Sequence, residues 1–366
     1  MILTADMKEN GMISAERLAE AIRKVPLENP VRIMEVCGTH TMAIAKSGIK
    51  SMLPDNVKLL SGPGCPVCVT PAGVIDRILE LAMNPDVIIT TYGDMIRVPG
   101  STPGDNLQRR RALGANVQVV YSPVDAIETA KQNPSREVVF LGVGFETTAP
   151  GTAATVLSAR DENVNNFSVS SMLKTVEPAL RALMAMDGFD IQGFLCPGHV
   201  GTIIGEKGFE FLPEEYSMPA VISGFEAEDI LAAIYRLLRQ ISENEPKLEN
   251  EYRRAVSKDG NPIAQRIMEQ CFEPRRDDWR GLGIIENSGL GFREEFAEFD
   301  AERKFDVKVP DRACVTACRC GDVITGKISP ADCPLFGRRC VPEDPVGPCM
   351  VSSEGACAAA YKYSEV

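Results

Sequence analysis

The sequence GPGCPVCVTP, at Gly62–Pro71, places Cys65 and Cys68 in CxxC spacing between prolines. The apolar run Val57–Leu60 before it predicts a short strand, and the apolar spacing over Val74–Met83 after it predicts a helix. A helix N-terminus favours the thiolate over the thiol, and a CxxC pair at such a turn is typical of redox or metal-binding sites. The stretch therefore predicts thiol chemistry on a strand-to-helix turn.

Short β-rich runs alternate with helical stretches on both sides of this turn. The predicted strands are Val31–Val36, Val57–Leu60, Val87–Thr91, Val117–Tyr121, Val138–Val143, Ser168–Met172, Gly193–Cys196 and Ala220–Ser223. The predicted helices are Ser14–Lys24, Met42–Met52, Gly73–Met83, Val124–Gln132, Gly151–Arg160, Val176–Met186 and Ala227–Ile241. Strands that alternate with helices predict mostly parallel sheets covered by helices, which is an α/β fold.

The length of 366 residues predicts more than one domain. We expect an N-terminal helical segment at residues 1–30, a first α/β domain at 31–135 and a second at 136–241. Residues 242–366 are expected to form a helical linker, Gly-rich turns over Pro274–Glu295 and a cysteine-rich C-terminal domain.

Composition excludes several classes of partner. With 39 basic and 51 acidic residues the net charge is −12, which argues against nucleic acid and against an anionic membrane. The first residues show no signal-peptide pattern, and no apolar run is long enough to span a bilayer, so a cytoplasmic protein is expected. Twelve cysteines in a reducing compartment predict metal binding or redox catalysis rather than a disulfide framework.

Polar motifs follow most of the predicted strands. They begin at Cys37, Cys65, Tyr92, Glu146, Cys196 and Gly224. Three of these turns carry cysteines, and two carry the only histidines, His40 and His199. Ligands bind at the carboxyl ends of the strands in open α/β sheets, so these turns predict a functional crevice.

Cys37 lies at the end of the apolar run Val31–Val36 and not inside it. A structural cysteine would be expected within the run, so this position indicates a thiolate nucleophile or a soft metal ligand. His40, in the same turn, is a candidate proton acceptor.

The stretch Leu141–Thr148 contains GxG between a predicted strand and a helix, as dinucleotide sites do. Thr147 stands where the third glycine should be, and the expected acidic residue further on is absent. Nucleotide binding is therefore the weaker interpretation, and a tight turn that presents Glu146 to the crevice is the better one.

The C-terminal region is rich in cysteine and contains no histidine. Its cysteines are Cys314, Cys318, Cys320, Cys333, Cys340, Cys349 and Cys357. Their wide, uneven spacing favours a [4Fe–4S] cluster over zinc, but seven candidates leave the four ligands open. Cys271, on a helical stretch, is expected to be structural.

Taken together, these motifs resemble the hydrogenase maturation factor HypD family over Val31–Tyr363. The matching motifs are CGTHT at Cys37–Thr41, GPGCPVCVTP at Gly62–Pro71, TYGDMIRVPG at Thr91–Gly100, FLGVGFETTAP at Phe140–Pro150, CPGHV at Cys196–Val200, CG at Cys320–Gly321, CPLFGRRC at Cys333–Cys340 and CMVSSEGAC at Cys349–Cys357. Cys271, Cys314 and Cys318 lie outside the family pattern.

The resemblance implies two Rossmann-like parallel-sheet α/β domains plus an iron–sulfur domain. It implies a scaffold that assembles the Fe(CN)2CO group of [NiFe] hydrogenases with a HypC-type chaperone, while a HypE-type protein donates cyanide. Cys37 would hold the iron together with a cysteine of the chaperone, and Cys65 and Cys68 would form a redox-active or iron-proximal pair. The [4Fe–4S] ligands implied by the family motif are Cys320, Cys333, Cys340 and Cys357.

Two other functions stay open at this point. One is an iron–sulfur-dependent protein disulfide reductase with Cys65 and Cys68 as its dithiol, and the other is a binding module with a purely structural cluster. The scaffold is favoured because it alone gives Cys37 a role, and it predicts no simple turnover reaction. The resting redox state of the CxxC pair is also open, as are the roles of Cys196, His199, Cys314, Cys318 and Cys349.

Overall fold

The structure is a computed structural model that describes residues 14–307 and 316–363. Its β-strands are β1 (Val31–Glu35), β2 (Val57–Ser61), β3 (Val87–Thr91), β4 (Val117–Val119), β5 (Glu137–Gly144), β6 (Phe167–Leu173), β7 (Gly193–Pro197), β8 (Ala220–Ser223), β9 (Leu248–Asn250), β10 (Phe272–Trp279) and β11 (Gly283–Phe292). All eight strands predicted from the sequence are present, with ends shifted by two residues or fewer.

The α-helices occupy most of the segments between the strands. They are α1 (Ala15–Arg23), α2 (Gly38–Lys46), α3 (Ile49–Met52), α4 (Pro66–Val69), α5 (Ala72–Leu81), α6 (Leu107–Ala112), α7 (Pro123–Gln132), α8 (Ala149–Asp161), α9 (Val176–Met184), α10 (Gly198–Ile204), α11 (Phe211–Tyr216), α12 (Ala227–Glu243), α13 (Pro262–Cys271), α14 (Ala301–Lys304), α15 (Cys320–Ile324), α16 (Pro348–Val351) and α17 (Ala356–Tyr363). Short 3-10 helices occupy Gly93–Arg97, Glu206–Phe209, Glu294–Phe299 and Pro330–Asp332.

The strands form two parallel sheets and one antiparallel hairpin. The first sheet has the order β2-β1-β7-β8-β9 and the second has the order β4-β3-β5-β6, with every neighbouring pair parallel. The hairpin consists of β10 and β11. The predicted α/β fold with parallel sheets is therefore confirmed.

The division of the chain into domains differs from the prediction. One compact unit takes the described residues 14–64, 187–261 and 362–363, and the other takes 65–186 and 262–361 apart from 308–315. These compact units do not follow the predicted boundaries at 30/31, 135/136 and 241/242. The reason is pairing: β3 pairs with β5 across residue 135, while β1 and β2 share a sheet with the later strands β7 and β8.

In the first unit, helices α1 and α12 pack together over the sheet. Helix α12 begins at a capping box formed by Glu226 and Asp229, and it ends at Asn244, whose φ of 52° is left-handed. Its apolar face, with Ile230, Leu231, Ile234, Leu237 and Leu238, joins the core that also contains Leu18 and Ile22 of α1. The residues 1–30 that the sequence set apart thus contribute, through α1, to the core of this unit.

In the second unit, the hairpin occupies the stretch for which the sequence predicted Gly-rich turns. Phe272 pairs with Phe292 at its base, and Trp279 pairs with Gly283 at its tip. Strand β10 carries adjacent charged residues instead of an apolar alternation, so its sequence pattern does not indicate a strand. Tertiary packing stabilises this strand instead, because the residues at both of its ends are buried.

A buried ion pair joins this hairpin to the end of β6. The Nζ atom of Lys174, whose side chain is 2% exposed, donates to Asp277 at 2.7 Å and to the carbonyl of Asp278 at 2.8 Å. The ammonium group also lies 5.0 Å from the centre of the Trp279 ring.

We expect Lys174→Met to lower the free energy of unfolding by about 3 kcal/mol, because it leaves the Asp277 carboxylate without its cation. Urea unfolding of the full chain measures this change. The control is Lys131→Met, which removes exposed ion pairs with Glu128 and Glu162 and should cost less than about 1 kcal/mol. Equal effects of the two substitutions would contradict this account.

Candidate functional site

Cys37 stands at the junction between β1 and α2 in the first unit. It is the N-cap residue of α2, with an extended backbone (φ −149°, ψ 123°), and it is 9% exposed. The N–H of Gly38 donates to the carbonyl of Gly64 at 3.0 Å, and a Cβ atom on Gly64 would overlap the backbone of Cys37. Gly64 can therefore approach the backbone of Cys37 closely only because it has no side chain, and its hydrogen bond with Gly38 holds the turn at Cys37 in place.

Glu35 is a site residue that the sequence analysis missed. Its carboxylate is 2% exposed, and it accepts hydrogen bonds from the N–H of Cys37 at 3.1 Å and from the hydroxyl of Thr41. Burial raises the pKa of Glu35 to about 7, although hydrogen bonds from Thr41, Ser61 and Cys37 oppose that rise. A single acid within the apolar run VRIMEV was the available signal.

The two histidines lie on one aromatic ring. The Phe225 ring has His40 at 4.7 Å and His199 at 3.8 Å between ring centres, and Tyr252 contacts it edge-on at 5.9 Å. His40 is fully buried, and its Nε2 atom lies 2.9 Å from the carbonyl of Gly224, which requires Nε2 to donate.

Burial lowers the pKa of His40 to about 4, so its imidazole is neutral at neutral pH. Its Nδ1 atom has no hydrogen-bond partner among the described residues and is therefore the atom left to accept a proton or a hydrogen bond. The role of proton acceptor stays a prediction, and the lowered pKa makes His40 a weak base.

Cys196 is fully buried within β7, and burial raises the pKa of its thiol well above the ordinary value. Its Sγ atom contacts the carbonyl of Phe194 at 3.9 Å. Cys196 is thus a neutral core thiol, in contrast to Cys37 at the end of its strand.

In the second unit, Cys65 and Cys68 form a disulfide, with their Cα atoms 5.2 Å apart. Cys65 is the N-cap residue of α4, and its Sγ atom accepts a hydrogen bond from the N–H of Cys68 at 3.2 Å. Cys65 is 5% exposed and Cys68 is inaccessible. The pair lies at the N-terminus of α4, a short helix that the sequence did not predict, and the predicted helix follows as α5.

The side chain of Glu146, which belongs to the second unit, is buried inside that unit. Its Oε1 atom accepts the N–H of Val176 at the start of α9 at 2.8 Å, and its Oε2 atom has no partner among the described residues. The side chain is 4% exposed, and burial raises its pKa to about 7. The turn thus buries this carboxyl against a helix end, whereas the sequence predicted that it would face a crevice.

The cysteine-rich region packs on the disulfide helix, because α15 and α16 both contact α4. Six of its cysteines lie in the described residues, and Cys314 lies outside them. Cys318 and Cys349 are neighbours of Cys320, and Cys349 is also a neighbour of Cys357. Burial raises the pKa of the Cys340 thiol, and the nearby Cys357 and Cys333 raise it further.

Cys320 is the cysteine of this region most disposed to exist as a thiolate. Its pKa is lowered by the hydrogen bond from Cys318, then by the one from Cys349, and further by the charge of Arg280. The pKa values of Cys318 and Cys349 are raised, first by their hydrogen bonds to Cys320.

The donor atoms of this region are cysteine thiols. In the part of the chain that the structure describes, no three His, Cys, Asp or Glu side chains are placed to bind one metal ion together. A donor set of thiols alone is the set that iron–sulfur clusters use.

Known proteins match this chain along nearly its whole length. The sequence model of the HypD family, described as "Hydrogenase formation hypA family", matches residues 13–364. The hydrogenase maturation factor HypD of Escherichia coli K12 is 46% identical over 340 residues, covering 92% of this chain and 90% of that protein. HypD2 of Bradyrhizobium diazoefficiens is 46% identical over 357 residues (94% and 93%), and HypD of Azotobacter vinelandii is 44% identical over 364 residues (98% and 96%).

The chain is an α/β protein with a cysteine at the turn after β1, a CxxC disulfide after β2 and a cysteine-rich C-terminal region. It belongs to the HypD family of hydrogenase formation proteins, which confirms the resemblance seen in the sequence. Its role lies in hydrogenase formation, and its partners are other components of that maturation pathway. Among the described residues, no helix is long and apolar enough to cross a membrane.

We expect Glu146→Gln to stabilise the protein increasingly as pH rises. The carboxyl has an ordinary pKa of 4.5 and a folded pKa of about 7, so folding favours its protonated form. Its full contribution to stability is therefore present below pH 4.5 and is lost as pH rises through 7. Gln keeps an acceptor for the N–H of Val176 and cannot ionise.

Urea unfolding of both proteins between pH 5 and pH 8 measures the difference in unfolding free energy. That difference should grow with pH to at most about 3 kcal/mol in favour of the variant. The exposed Glu298→Gln is the control and should show no such trend. A difference that stays constant with pH would show that Glu146 is not protonated in the folded protein.

Proposed function

We propose that this protein is the scaffold on which the Fe(CN)2CO group of [NiFe] hydrogenases is assembled, with Cys37 as its iron ligand. The supporting observation is the placement of Cys37 at the end of β1, as the N-cap of α2. A thiolate is a soft ligand, and it suits iron that carries cyanide and carbon monoxide. The nearby Cys196 is a buried core thiol, so the first unit offers one strand-end thiol for this cargo.

A lone protein thiolate leaves most positions around iron open. The family resemblance assigns one further ligand to a cysteine of a HypC-type chaperone and the delivery of cyanide to a HypE-type protein. A shared site of this kind allows release, because departure of the chaperone removes one of the two protein ligands. The cargo could then pass to the hydrogenase without unfolding of the scaffold.

The second unit would supply electrons for this assembly. By the family motif, Cys320, Cys333, Cys340 and Cys357 would hold a [4Fe–4S] cluster. When bound, such a cluster supplies one electron at a time, originating from an external one-electron donor protein. Opening the Cys65–Cys68 disulfide takes two electrons and two protons and yields two thiols. Cys318 and Cys349 are neighbours of Cys320 without belonging to the ligand motif.

A second candidate function is an iron–sulfur-dependent disulfide reductase that acts on a partner protein. The contact of α15 and α16 with the disulfide helix α4 favours it, because the same arrangement would serve reduction of an external disulfide. This function leaves Cys37 without a role. Substitution of that cysteine therefore separates the two candidates.

We expect Cys37→Ala to abolish the infrared bands of iron-bound cyanide and carbon monoxide in protein purified without air together with its small chaperone. Mössbauer signals of the cluster should persist, because the cluster cysteines lie elsewhere in the chain. The matched control is Cys196→Ala, which removes a neutral core thiol and should keep the bands. A cluster signal without such bands in the unsubstituted protein, under any loading, would favour the reductase.

We expect the double variant Cys65→Ala, Cys68→Ala to bind its chaperone but to accumulate little iron-loaded complex. The physical reason is that thiol–disulfide exchange at this pair would supply the redox step of the assembly. Infrared band intensity per protein measures the loading, and the cluster absorbance is the internal control. Normal loading in this variant would remove the pair from the assembly mechanism.

A further inference from the structure

The tip of the β10–β11 hairpin contacts the last turn of the disulfide helix through Arg280. The backbone N–H of Arg280 donates to the carbonyl of Val69 at 2.8 Å. Its guanidinium donates to the carbonyl of Thr70 from Nε at 3.2 Å and from Nη2 at 2.8 Å. Helix α4 has only four residues, so these three N–H groups satisfy the carbonyls at its C-terminal end.

The same hairpin tip contacts the helix that carries Cys320. Gly281, with φ +85°, lies against the backbone of Gly321, and a Cβ atom on Gly281 would come within 2.8 Å of the Gly321 Cα atom. Gly321 directly follows Cys320 in α15. Arg280 directly precedes Gly281 and therefore adjoins the N-terminus of the helix that begins at Cys320.

We propose that Arg280 is a positioning residue that holds the Cys65–Cys68 helix against the Cys320 helix and makes the group held by Cys320 easier to reduce. This inference rests on the proposed redox role of the second unit. A fixed positive charge stabilises whichever state carries more negative charge, and the reduced state of a thiolate-bound cluster is that state. The fork of N–H donors keeps the end of α4 at a set distance, which a lysine cannot reproduce.

If Arg280 had a purely structural role, it would only cap the C-terminal end of α4. Two substitutions of Arg280 distinguish this structural role from the electrostatic one. Arg280→Lys keeps the charge but loses the two parallel N–H donors. Arg280→Gln keeps a donor but loses the charge. The matched control is Arg276→Gln on the same hairpin, where the arginine side chain is 62% exposed and lies 3.5 Å from Glu286.

The first measurement is a potentiometric titration of the full chain carrying a reconstituted cluster, followed by electron paramagnetic resonance. Arg280→Gln should make the midpoint potential more negative by about a tenfold change in the reduction equilibrium, which is about 59 mV for one electron. Arg280→Lys should stay near the unsubstituted protein, and Arg276→Gln should not differ from it. An unchanged midpoint in Arg280→Gln would overturn the electrostatic part of the proposal.

The second measurement needs no cluster. The cluster-free chain is treated with dithiothreitol, and alkylation of Cys65 and Cys68 is followed over time by mass spectrometry. Both Arg280 variants should be reduced several-fold faster than the Arg276 control, because the end of α4 is no longer held. Equal rates in all proteins would overturn the positioning part.

These two measurements also separate this inference from the proposed function. A chain that never binds a cluster would contradict the proposed cofactor, while the alkylation rates would still test Arg280. Conversely, a normal cluster with equal midpoints and rates would reject Arg280 alone. Arg280→Lys keeps the experiment informative if the Gln variant fails to fold.

Discussion

The parallel pairing of β1 with β7 is the constraint on which the first unit depends. Ile33, Met34 and Glu35 align with residues 193–195, although about 160 residues separate them along the chain. Because parallel strands end at the same edge of a sheet, the turns that follow them form one surface. That edge carries Cys37 and the Phe225 ring with both histidines. Without this pairing, the CGTHT and CPGHV motifs would have no reason to meet.

The second unit also contains a parallel sheet, and an antiparallel hairpin is added to it. Its parallel sheet is accompanied by an antiparallel hairpin whose tip holds the short disulfide helix and lies against the cysteine-rich region. A buried ammonium and carboxylate, Lys174 and Asp277, fix one side of that hairpin to the end of β6. Breaking such a buried pair is costly, so the position of the hairpin is strongly specified. The cysteine-rich region packs on the disulfide helix through α15 and α16.

Burial shifts the pKa values of ionisable groups in both units, upward for the carboxyl groups and downward for the histidine. Desolvation raises the pKa of Glu35 and of Glu146 to about 7, and it lowers that of His40 to about 4. All three groups therefore favour their neutral forms in the folded protein.

The sequence alone located eight strands of the α/β part, because strands such as Val87–Thr91 are local apolar runs whose ends are marked by turn residues. It also determined the family, since motifs such as GPGCPVCVTP are long and specific. Only the tertiary structure decided which strands share a sheet, because pairing partners lie far apart in sequence and leave no local signal. For the same reason the domain boundaries, the charged strand β10, the inward turn of Glu146 and the contacts of Arg280 could not be read from the chain. Each depends on what a residue is packed against, and that is set by long-range burial and not by local pattern.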